Sequence, residues 1–105
     1  MIDWSKAKEL CNEVGEEDFG EIVEVFLDEV EEELASLDGR DAECLGKSMH
    51  FLKGSALNLG FTSLAEICVE GEALAQTGHS EKIDTARIKS VYADSKRIFL
   101  GEYGG

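Results

Sequence analysis

The sequence predicts an all-α protein: an antiparallel up-down-up-down four-helix bundle with a short N-terminal helix capping one end. Three observations carry this. Apolar residues recur at i, i+3, i+4 and i+7 through long segments. Proline is absent, and glycine falls mostly between those segments. No stretch alternates apolar and polar residues as a half-buried strand would. The length of 105 residues fits one domain over 1–105, large enough for a modest core without a metal or disulfide staple.

The first helix is expected from about Asp3, a plausible N-cap, to Val14, where Gly15 stops it. Trp4 and Leu10 would pack it against the end of the bundle. The second is expected from about Glu17 to Leu37. Its stripe of Phe19, Ile22, Val23, Phe26, Leu27, Val30, Leu34 and Leu37 is the clearest helical signal in the chain, and acidic residues fill its other face. Asp38-Gly39 then marks a turn. The third runs from about Asp41 to Leu59, with Gly60 as a natural C′ residue. The fourth starts near Thr62 or Ser63, where Ser63 and Glu66 have capping-box spacing. Leu64, Ile67, Cys68, Gly71, Leu74 and Ala75 form its stripe, and Thr77-Gly78 ends it. Ser80 is expected to cap the fifth, with Ile83, Ile88, Val91, Ile98 and Phe99 inward and Tyr92 at the edge.

A formal net charge of −13 argues against nucleic acid or an anionic membrane as the main partner, because both need a basic footprint. No apolar run is long enough to span a bilayer and no signal peptide is present, so a cytoplasmic protein is expected. Cys11, Cys44 and Cys68 are odd in number and form no C-x-x-C pair. Each lies at or near an apolar helical position and is expected to be a buried thiol. A bundle that satisfies its own core should be a monomer.

The third helix carries the chemistry. On a wheel of about 100° per residue, Leu45, Met49, Leu52, Ala56 and Leu59 cluster toward the core and His50 points well away from them. Gly46 and Gly54 lie one turn before and after His50, on its own side, together with Leu57. Each interior glycine costs about 0.5–1 kcal/mol relative to alanine. Their gain would be clearance around the imidazole. Lys47 and Lys53, three residues either side, put positive charge beside the ring, which suits an anion held at a ring nitrogen. An exposed, uncrowded histidine between lysines is a reasonable acceptor for a phosphoryl group. Against this stands the plain reading of a surface histidine with glycines that serve helix packing.

The run His50-Phe51-Leu52-Lys53-Gly54-Ser55-Ala56-Leu57-Asn58-Leu59-Gly60 closely resembles the H-x-L-K-G-S-[SA]-x-x-L-G signature of histidine-containing phosphotransfer (HPt) domains. Leu64, Cys68 and Glu72 resemble that family's pattern on the next helix, and Ile2-Asp3-Trp4 with the long acidic second helix also looks like the family. The resemblance spans nearly the whole chain. It implies the family's antiparallel bundle and a phosphorelay role. His50 would take a phosphoryl group from an aspartate of one response-regulator receiver domain and pass it to another as phosphohistidine. A hybrid histidine kinase is the other implied partner. Lys53 would match the lysine near the phosphoryl group, and Gly54 the small residue that admits the receiver. Glu72 would hold the non-reacting ring N–H. Lys47, Gly46, Gly54 and Leu57 would form the docking face. Mg²⁺ is implied on the receiver, with no cofactor or metal on this chain. The chain departs from the family at Gly71, where a larger apolar residue is usual, and at Met49 and Phe61, where small ones are common.

No P-loop or kinase signature is present, so phosphorylation from ATP is not expected. His79, in a turn, reads as a plain surface residue. A metal site from His50, His79 and the cysteines lacks ligand spacing, and a Cys–His nucleophile lacks any sign of a lowered thiol pKa. The serious alternative is a non-catalytic helical adaptor that binds a receiver or kinase through the same face.

Overall fold

Asp3 opens the first helix by accepting a hydrogen bond from the Ser5 N–H at 3.1 Å. A computed structural model describes residues 2–103. It is all-helical: α1 Trp4–Val14, α2 Glu16–Ala35, α3 Ala42–Leu59, α4 Thr62–Gln76 and α5 Thr85–Tyr103, with a single 3₁₀ turn at Ser80–Lys82 before α5. There is no strand among the described residues, only an isolated bridge between Ile2 and Phe61. The chain forms a rod of 43 × 21 × 21 Å.

The turns follow from residues that suit them. Gly15 (φ 87°) separates α1 from α2, Gly39 (φ 85°) turns the α2–α3 loop, and Gly78 (φ 80°) ends α4. Asp41 caps α3 by accepting from the Cys44 N–H at 2.8 Å. Gly60 closes it in the left-handed conformation (φ 81°, ψ 19°). Its N–H reaches Leu57 O and the Phe61 N–H reaches Ala56 O at 2.8 Å, so the last carbonyls are satisfied in a Schellman motif.

The buried residues form one cluster drawn from all five helices. Val23, Leu27, Val30 and Leu34 supply it from α2, and Leu37 is buried although it lies past the helix end. An aromatic group fills one end. Trp4 of α1 stacks on Phe99 of α5 at 5.8 Å, and Phe61 meets Phe99 edge-on at 5.4 Å. Polar ties join α2 to α5. The buried Tyr92 hydroxyl donates to Glu31 Oε2 at 2.6 Å, and Lys96 bonds the same carboxylate at 2.6 Å. The Lys96 bond, then Tyr92, holds Glu31 below the usual carboxylate range.

Four sequence expectations change. Ser80 starts the 3₁₀ turn instead of capping α5; Asp84 does that, accepting from the Arg87 N–H at 3.0 Å. The α4 N-terminus has no side-chain cap, because the chain enters it through the buried Phe61, and Ser63 lies inside the helix. The inward face of α5 is Ile88, Tyr92, Ser95 and Phe99, while Ile98 is exposed. A correct i, i+4, i+7, i+11 register would include Ser95, whose buried hydroxyl is satisfied by Val91 O at 2.8 Å. Among the thiols only Cys68 is buried, and burial pushes its pKa up to about 12. Cys44 is exposed, since its position in the first turn of α3 is about 100° from the middle of the apolar stripe.

Candidate functional site

The rotation of α3 is set by its buried face. Met49, Leu52, Ala56 and Leu59 are fully buried, which turns His50 outward with a side chain 70% exposed. Leu64, Ile67, Cys68 and Gly71 bury α4 in the same way, and this brings Glu72 to the seam against α3. The two helices then place three of the sequence-predicted residues together. Glu72 Oε2 lies 3.0 Å from His50 Nδ1, and Glu72 Oε1 accepts from Lys53 Nζ at 2.8 Å. One carboxylate thus holds both the imidazole and the lysine. The Lys53 hydrogen bond is the larger cause that keeps the Glu72 carboxyl below its usual range, with His50 adding to it.

An ionised carboxylate can only accept, so the short contact assigns the ring proton to Nδ1. Nε2 makes no hydrogen bond among the described residues, and in the neutral ring it carries the lone pair. Lys53 is not a free cation beside the ring, because its ammonium is engaged by Glu72.

The two glycines differ. Nothing lies within 4 Å of a Cβ built on Gly54, which leaves open space one turn after His50. A Cβ on Gly46 would meet the Ala75 side chain at 3.4 Å, so Gly46 permits close packing of α3 on α4. Gly46, Lys47 and His50 also line one open groove with Glu72 and Gln76. Lys47 is 77% exposed, with Glu43 3.6 Å away. Leu57 is exposed and borders a second apolar depression with Ala65 and Val69 of α4. Val69 and Gln76 escaped the sequence reading. Their signal is spacing from Glu72, three residues before and four after, on a helix whose register was known.

His79 lies in the turn after α4, its Nδ1 3.8 Å from Glu81. Among the described residues no three His, Cys, Asp or Glu side chains converge as a metal site would require. No helix there is long and apolar enough to cross a membrane. The loop before α3 is tied down by Glu33, Arg40 and the buried Ser48, each pair 2.6 Å apart.

The family model for the Hpt domain matches residues 21–94. The chain is 33% identical over 97 residues to the phosphorelay intermediate protein YPD1 of Candida albicans. That match covers 87% of this chain and 51% of the relative, so the chain spans about half the length of the curated relative it matches. No solved structure matches.

Proposed function

This chain belongs to the Hpt domain family, and from that premise we propose that it relays a phosphoryl group between receiver-domain aspartates through phosphohistidine at His50. The carrying observation is the imidazole whose Nδ1 is held by Glu72 at 3.0 Å while the ring is 70% exposed.

The chemistry follows from that tautomer. The Nε2 lone pair attacks the phosphorus of an incoming aspartyl phosphate. An N–P bond forms as the acyl-phosphate P–O bond breaks, and the aspartate carboxylate leaves with the electron pair. The ring gains positive charge as the bond forms, and Glu72, accepting from Nδ1–H, stabilises it. Lys53 fixes the carboxylate in place. The reverse step delivers the phosphoryl group to a second aspartate. Phosphoryl transfer is mostly positioning and electrostatics, with a metal ion offsetting charge; the receiver brings its own Mg²⁺, and no cofactor resides on this chain.

Receiver domains, or a hybrid histidine kinase, dock over the α3–α4 face. Gly54 gives clearance, Gly46 and Lys47 line the groove beside the ring, and Leu57 supplies apolar contact. Residues 1–105 act as one monomeric domain in the cytoplasm, where three free thiols are at home. Its architecture is α2 to α5 running up-down-up-down with α1 capping one end. In support, the connections are short and Trp4 of α1 stacks on Phe99.

The test is incubation with a phosphorylated receiver. Acid-labile, base-stable label on this protein is the expected result; binding without label would make it an adaptor. A Gly54 series sharpens the test. Gly54→Ala should be neutral or stabilising by up to about 1 kcal/mol, because its Cβ meets nothing. Gly54→Gln should slow single-turnover transfer by about 100-fold or more at unchanged stability, since a misplacement of about 1 Å costs that much. Equal rates for all three would remove clearance as the role of Gly54.

A further inference from the structure

Met49 precedes His50 in the chain, and Gly71 precedes Glu72. Met49 and Gly71 are the two sides of one contact. A Cβ on Gly71 would stand 2.7 Å from Met49 Sδ and 3.0 Å from its Cγ, with Ile83 Cγ2 at 3.9 Å. The thioether therefore fills the space that a side chain at 71 would need. Gly71 has no positive φ, so its backbone does not require glycine, but a side chain there obliges the Met49 thioether to shift. An interior glycine weakens a helix, and this one is offset by the close approach it allows. Met49 is fully buried, so its sulfur has no solvent to swing into. One turn away on the same seam, Gly46 lets α3 approach Ala75. These two contacts flank the pair that must meet at 3.0 Å, His50 and Glu72. Glu72 is only 18% exposed and is tied to Lys53, so it cannot follow a displaced histidine freely.

We propose that Met49 and Gly71 are positioning residues whose interlocking sets the α3–α4 spacing at which Glu72 holds Nδ1 of His50. The consequence for transfer rests on the phosphorelay reading above, whereas the geometric claim stands without it. Both are read on the whole chain. The first readout is the ¹⁵N NMR tautomer state of His50 in unphosphorylated protein, at a pH where the ring is neutral. The second is single-turnover transfer from a phosphorylated receiver.

Wild type should show the proton on Nδ1. Gly71→Val should move it toward Nε2 and slow transfer by about 10-fold or more, the usual scale for removing a partner that orients a reacting imidazole. Met49→Ala combined with Gly71→Val should restore the Nδ1 tautomer and most of the rate, because the added bulk then has somewhere to go. If Gly71→Val does not fold, Gly71→Ala carries the same test, its Cβ already 2.7 Å from the sulfur. An unchanged tautomer in a folded Gly71 variant overturns the proposal. So does a double variant no better than Gly71→Val alone. A tautomer shift in the Gly71 variants together with no label on the wild-type protein would instead sink the phosphorelay reading and leave the positioning intact.

Discussion

His50→Gln is expected to abolish phosphoryl acceptance while leaving the fold in place. The nucleophile in this scheme is the Nε2 lone pair, and a glutamine amide nitrogen has none to offer. Stability should barely change. The His50 side chain is 70% exposed and sits outside the buried stripe of Met49, Leu52, Ala56 and Leu59. Surface substitutions of this kind stay within about 0.5 kcal/mol. The glutamine amide can also donate to Glu72, so that carboxylate need not lose both partners. The chain has two histidines, which supplies an internal control. His79→Gln should keep full label, because His79 lies in the turn after α4 with only Glu81 near its Nδ1. Label, far-UV circular dichroism and thermal melts on both variants decide the matter. Label persisting in His50→Gln, or label lost with His79→Gln, would place the acceptor elsewhere.

Gly60→Ala should be strongly destabilising. Gly60 sits at φ 81°, where a Cβ costs about 1–2 kcal/mol in any L-residue. Here the Cβ would also stand 2.3 Å from the Asp3 carbonyl oxygen and 3.1 Å from its carbon. Those are backbone atoms and cannot rotate aside. The chain entering α1 must move, which breaks the Asp3 N–H to Gly60 O bond of 2.6 Å and the Ile2–Phe61 bridge. The combined loss should reach about 3 kcal/mol or more, a fall in Tm of more than about 10 °C. Gly78 provides the comparison. Its φ is nearly the same, at 80°, but nothing lies within 4 Å of its Cβ. Gly78→Ala should cost only the backbone term. Equal melting temperatures for the two variants would show that the contact with Asp3 contributes nothing.

The contrast between these glycines shows where local reading stops. Gly60 was recognisable as a helix-ending residue from its place after Leu59. Its approach to Asp3 was not, because that neighbour is far away in the sequence. Gly54 and Gly46 looked alike, each one turn from His50, yet one faces open space and the other packs on Ala75 of α4. The start of α5 misled for a different reason. Ser80 and Asp84 are both good N-caps, and propensity cannot choose between two caps four residues apart. The 3₁₀ turn at Ser80–Lys82 takes up the difference. Ile98 and Tyr92 exchanged places because the apolar count favoured isoleucine. Burial favoured the aromatic ring, whose hydroxyl found Glu31 on α2.

By itself the sequence determined that the chain is helical, that α3 turns His50 away from the core, and that the residues around His50 match a phosphotransfer signature. The first two depend on spacing within helices, where about 100° per residue fixes which side chains share a face; the third rests on residue identities that resemble the HPt signature. The family resemblance named Glu72 as a partner for His50, but spacing within one helix could not place the two side chains together; the tertiary structure does. Glu72 is 22 positions away along the chain, and its bonds to His50 and Lys53 exist because α4 lies against α3 at one rotation and one spacing. Met49 and Gly71 read as two unrelated oddities until that packing joined them. Periodicity specifies which face of each helix is buried. It does not specify the distance between two faces, which is set by how side chains of particular volume interlock across the seam.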